Sequence, residues 1–109
     1  MLKLFLKKDK RMKVNRDSSN ITRISFIFEG KVQGVGFRYF VKKKAESLCI
    51  KGYVKNKNDG SVLVNAQGEI GALESLAQLC LIGTPYSKVK CIKKKQKPIE
   101  NLKGFHIFY

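Results

Sequence analysis

The hydrophobic period of this chain switches repeatedly between two residues and three to four. That succession constrains the fold more than any other feature. Arg23–Glu29 (RISFIFE) alternates as a strand does, rich in Ile and Phe. After a loop, Phe37, Phe40, Val41, Ala45 and Leu48 recur at helical spacing, with Lys42 and Lys43 pointing away from them. Lys51–Lys57 and Ser61–Gln67 form two strands around Asn58, Asp59 and Gly60, a hairpin turn signal. Glu69–Ile82 is a second amphipathic helix with Leu73, Leu76, Ala77 and Cys80 inward, stopped by Gly83 and Pro85. Ser87–Lys95 and Phe105–Tyr109 alternate again. The order specifies an α+β, ferredoxin-like βαββαβ sandwich: an antiparallel sheet with two helices on one face and a short extra strand at the C-terminus.

This topology has a consequence for function. Strands one and two run parallel with strand three between them, so their C-terminal ends emerge on the same edge of the sheet. The loop after strand one, Gly30–Gly36 (GKVQGVG), carries three glycines in seven residues. It therefore faces the end of strand two, where Asn56 sits on the side the helices cover. Gly30, Gly34 and Gly36 allow the backbone to turn its N–H groups towards one point. The helix starting near Phe37 adds its own unpaired N–H groups and the positive end of its dipole. Such a nest suits a phosphate or carboxylate, and Arg38 in the first helical turn is placed to add two parallel hydrogen bonds to the same anion.

Composition bounds the rest. The chain has 109 residues, 43% of them apolar, and a net charge of +15 from 23 basic and 8 acidic side chains. That is one globular domain with an anionic partner of unstated size. All but four of the basic residues are Lys, a hydrated point charge rather than the bidentate fork that reads bases and phosphates, so solubility and steering are favoured over dedicated nucleic-acid binding. Residues 1–20 hold seven basic and two acidic side chains and read as a flexible basic extension; residues 21–109 form the domain. The three cysteines, Cys49, Cys80 and Cys91, have no metal-binding spacing and read as buried small hydrophobes in a reducing setting. Met1–Lys8 is too poor in apolar residues for a secretory core, and no run reaches the length of a membrane span. A soluble, cytoplasmic protein is expected.

Gly30-Lys-Val-Gln-Gly-Val-Gly-Phe-Arg38 resembles the acylphosphatase signature G-x-V-Q-G-V-x-F-R at every fixed position. Gly52-Tyr-Val-Lys-Asn56 followed by Asp59-Gly60-Ser-Val62 is similar to that family's second motif, and Gly104-Phe105 to Tyr109 to its closing strand. The resemblance spans roughly Ile21 to Tyr109. It implies hydrolysis of the carboxyl–phosphate bond of acylphosphates, without metal or cofactor. It implies that Arg38 and Asn56 are the catalytic residues, Arg38 binding the phosphoryl group and Asn56 positioning the attacking water. Gln33, Gly34, Val35, Gly36, Phe37 and Arg38 match the loop that holds the phosphoryl oxygens. The partners expected are a small acylphosphate and, as product-like ligands, phosphate or sulfate, with no specific nucleic acid, no membrane and a monomeric state.

The sequence departs from the family at a few places. Cys49 stands where Gly is common after the first helix, so a strained left-handed residue or a differently ended helix is expected. Tyr53 replaces a commoner Trp. Lysines fill the strand around Val89–Lys97, where they deter pairing if it is an edge. His106 alternates outward and Phe37 and Phe40 belong to the core. A non-catalytic RNA- or anion-binding module is the alternative. RNA-recognition domains share the element order but place aromatics on central strands of an open sheet, and the third strand here has none.

Overall fold

A computed structural model describes residues 20–109; all but the last residue of the basic extension lies outside the described residues. The elements follow the expected order: β1 (Ile21–Lys31), α1 (Phe37–Ser47), β2 (Lys51–Asn56), β3 (Val62–Glu69), α2 (Ile70–Ile82), β4 (Lys88–Lys97) and β5 (Phe105–Phe108). One open sheet has the strand order β4-β1-β3-β2-β5. β3 is antiparallel to both neighbours, and Phe28 of β1 and Asn56 of β2 both lie opposite Val62. β5 runs parallel to β2, so the fifth strand makes a mixed sheet of an otherwise antiparallel one.

Alternation on β1 drives the packing. Ile24, Phe26 and Phe28 face the helices and are almost fully buried, and Phe28 meets Phe37 of α1 edge-on with ring centroids 5.5 Å apart. Val41 and Ala45 continue the buried stripe of α1, while Leu73, Leu76, Ala77 and Cys80 supply that of α2. A fully buried Phe or Leu contributes about 1.5–3 kcal/mol. Phe40 packs on Phe37 at 6.5 Å but stays half-buried, with the Lys44 ammonium over its ring.

The opposite face of the sheet is partly covered by the β4–β5 connection. Arg23 pairs with Glu100 at 3.2 Å and donates to the Pro98 carbonyl, and Gln67 exchanges two hydrogen bonds with the Glu100 backbone. That strap anchors the crossing from one edge of the sheet to the other. β4 is an outer strand, the position in which its lysines deter further pairing, and Lys93 pairs with Glu29 at 3.2 Å.

Two sequence expectations are settled at the helix end and among the cysteines. Cys49 adopts the left-handed conformation with φ 59°. Its N–H bonds to Glu46 O and that of Ile50 to Ala45 O, which is a Schellman ending on a residue that lacks the freedom of glycine. The expectation of three buried cysteines is corrected: only Cys80 is buried. Cys49 is exposed at this turn, and Cys91 is exposed opposite Glu29 on the outer strand. Burial pushes the Cys80 thiol up to about 12, so it stays protonated and inert. Among the described residues no helix is long and apolar enough to cross a membrane.

One buried carboxyl is out of keeping with this core. Glu74 of α2 is 7% exposed and its Oε1 is buried with no hydrogen-bond partner. Desolvation pushes its pKa up, against the weaker opposing influence of the Lys94 charge. The folded state therefore keeps a proton that the unfolded chain releases. Its contribution is most favourable below the unfolded carboxylate range and is lost as pH rises through the raised value. Glu74→Gln should stabilise the fold by about 1 kcal/mol near neutral pH, with the gain shrinking towards about pH 4. Thermal denaturation at both pH values checks this; a variant less stable than the parent at neutral pH would contradict it.

Candidate active site

The site is built where three elements converge. Because β1 and β2 flank β3 in the same direction, the loop leaving β1 and the last residue of β2 share one edge of the sheet. A pocket of about 180 Å³ opens there, lined by Val32, Gly34, Gly36, Phe37, Arg38, Tyr39, Asn56, Ile107 and Tyr109. Five of the residues that the sequence singled out, Gly34, Gly36, Phe37, Arg38 and Asn56, meet in it.

The loop geometry follows from its glycines. Gly34 and Gly36 have φ values of 74° and 77°, and a Cβ on either would meet nothing within 4 Å. Conformation rather than space therefore demands glycine there. Gly36 is the N-cap of α1. It offers no side-chain cap, and no acidic residue stands in the first turn. The first N–H groups of the helix have no intrahelical acceptor, and the residues that carry them, Phe37, Arg38 and Tyr39, line the pocket beside Gly36. Phe37 takes part through its backbone, since its ring is 1% exposed in the core.

Arg38 is held from the C-terminal strand. Its Nη1 donates to the Phe108 carbonyl at 3.3 Å, and its guanidinium carbon lies 4.8 Å from the centroid of the Tyr109 ring. No carboxylate pairs with it among the described residues, so its remaining N–H groups are available to an anion. Asn56 ends β2 with its Oδ1 buried and without a hydrogen-bond partner. An unsatisfied buried amide oxygen costs about 1–3 kcal/mol, and it belongs to a side chain on the pocket wall. Among the described residues no three His, Cys, Asp or Glu side chains come together as metal ligands.

Gln33 and Val35 belong to the loop but do not line the pocket. The Gln33 Nε2 donates to the carbonyls of Lys57 and Ser61 at 2.8 and 2.9 Å, tying the loop to the β2–β3 hairpin. The Val35 carbonyl accepts from Thr84 Oγ1 at 3.0 Å. Sequence reasoning missed Tyr39, Ile107, Tyr109 and Thr84. Tyr109 had a signal, an aromatic continuing the inward face of the last strand; Thr84, 49 residues from its partner, had none.

The comparisons with known proteins bear on the family and the fold. The family model described as Acylphosphatase matches residues 24–107. An acylphosphatase of Archaeoglobus fulgidus is 44% identical over 80 residues, covering 73% of this chain and 90% of the relative. The crystal structure of acylphosphatase from Bacillus subtilis superposes with a TM-score of 0.79 at 39% identity, over 81% of this chain and 99% of that one. The structure of an acylphosphatase from Coxiella burnetii gives a TM-score of 0.81 at 34% identity, over 86% of this chain and 99% of that one. With the fold, the glycine loop and the Arg–Asn pocket in place, the chain belongs to the acylphosphatase family, hydrolases of the carboxyl–phosphate bond of acylphosphates.

Proposed function

We propose that this chain performs that hydrolysis with Arg38 and the Gln33–Arg38 loop holding the phosphoryl group and Asn56 orienting the attacking water, without a metal ion. The observation that carries the reading is the convergence in one pocket of the glycine loop, the uncapped start of α1, Arg38 with no carboxylate partner among the described residues, and Asn56, whose Oδ1 has no hydrogen-bond partner. The donors suit the non-bridging phosphoryl oxygens, and the acceptor suits a water proton.

The chemistry asks for little more. The water oxygen forms a bond to phosphorus as the phosphorus–oxygen bond to the acyl group breaks, its electron pair leaving with the carboxylate. The conjugate acid of that leaving group has a pKa of about 4, so no general acid is required. The proton lost by water goes to a phosphoryl oxygen. A loose transition state depends on charge stabilisation and alignment. Arg38 and the helix start supply positive potential, and Asn56 fixes the water in line. The Gln33 side chain acts on the frame, bracing the loop against the hairpin. Inorganic phosphate is the product and a ligand of the same pocket. We place the protein in solution as a monomer in the cytoplasm, its excess positive charge steering the anionic substrate in a salt-sensitive way.

Two substitutions separate the roles. Arg38→Ala should reduce kcat/KM for acetyl or benzoyl phosphate by about 10³-fold or more and weaken inhibition by phosphate. Arg38→Lys should recover little, because the bidentate fork is gone. In Asn56→Ala, kcat should fall by about 10²–10³-fold while phosphate still raises the melting temperature. Loss of that protection would mean that Asn56 holds the anion or the fold instead. The parent enzyme should be as active in EDTA as without it; inactivity in EDTA restored by a divalent cation would contradict the metal-free mechanism.

A further inference from the structure

We infer that Thr84, in the turn after α2, is a positioning residue for the phosphoryl site: it fixes the Val35–Gly36 peptide so that the Gly36 N–H points into the pocket. The inference rests on the reading above, in which loop N–H groups hold the phosphoryl oxygens.

Thr84 Oγ1 donates to the Val35 carbonyl at 3.0 Å. No peptide bond among the described residues is cis. In a planar trans peptide the C=O and the following N–H point in opposite directions. Drawing the Val35 oxygen towards Thr84 therefore turns the Gly36 N–H the other way. The pocket lies on that other side, for Gly36 lines it while Val35 and Thr84 do not. With φ near 77° and no neighbour within 4 Å of where a Cβ would be, Gly36 has no steric restraint of its own. The Thr84 hydrogen bond supplies what glycine gives up.

Thr84 is itself held. The Tyr86 N–H lies 3.3 Å from Thr84 Oγ1 and donates to it, so the single hydroxyl hydrogen is left for Val35. Ser87 Oγ accepts from the Thr84 N–H at 2.8 Å and donates back to the Thr84 carbonyl at 3.2 Å. Gly83 permits this closure: with φ 68°, its Cβ would sit 2.2 Å from Ser87 Oγ. The Gly83–Ser87 turn is thus a small rigid bracket. It presents one hydroxyl to one loop carbonyl, while Gln33 secures the other end of the loop to the hairpin.

The test is a titration of the ¹⁵N-labelled full chain with inorganic phosphate, paired with kinetics on benzoyl phosphate. In the parent protein the Gly36 amide should shift saturably with phosphate. Thr84→Val keeps the shape and removes the hydroxyl. It should weaken phosphate binding and raise KM by about three- to tenfold, the range of a single hydrogen bond, and should shrink the Gly36 shift. Thr84→Ser should restore both to within about twofold of the parent, a rescue that loss of packing alone would not give. Should Thr84→Val fail to fold, Ser87→Ala, which loosens the bracket without touching the loop, should weaken phosphate binding in the same direction. Parent-like phosphate affinity in Thr84→Val, or in Ser87→Ala where it serves as the substitute, overturns the role of Thr84. A serine variant as weak as the valine one does so as well. A parent protein with no saturable shift at Gly36 overturns the loop reading itself, and with it this inference.

Discussion

A helix that starts without a cap leaves peptide N–H groups with nothing to bond, and the site of this protein is arranged around one such start. Ser, Thr, Asp or Asn before α1 would satisfy one of those donors internally and stabilise the helix by about 0.5–2 kcal/mol. Gly36 stands there instead, in the left-handed conformation, and the first turn carries Arg38 in place of an acid. Stability is withheld locally, and in the proposed mechanism those donors hold the phosphoryl group. The core that α1 builds with Phe28, Phe37 and Val41 offsets that loss elsewhere.

The rest of the fold serves to bring an acceptor to face those donors. Only a strand order with β3 between β1 and β2 sets Asn56 opposite the glycine loop. Parallel addition of β5 then carries the Phe108 carbonyl and the Tyr109 ring to Arg38. The strap through Arg23, Gln67 and Glu100 makes that addition possible by guiding the chain across the open face.

Much of this was legible in the sequence because it rests on local rules. Period changes located every element of the described residues to within a few positions, and crossover handedness placed the loop beside Asn56. The glycines at 34 and 36 announced positive φ. What stayed hidden depends on contacts far apart in sequence. Nothing in the residues around Thr84 points to Val35, and the Gln33 amide could as well have faced the ligand as the hairpin carbonyls it binds. The cysteines misled because type-based burial ignores position: Cys49 follows a helix and Cys91 lies on an outer strand. The net charge of +15 pointed to an anion but not to its size; among the described residues Arg38 is the only basic side chain that lines the pocket.

The central claim is that the pocket holds phosphorus and directs water at it. Hydrolysis of acetyl phosphate by the full chain in ¹⁸O-enriched water, with EDTA present, reads this directly. The account predicts the label in inorganic phosphate, because the phosphorus–oxygen bond is the one that breaks. Label in acetate instead, from attack at the carbonyl carbon, would contradict it.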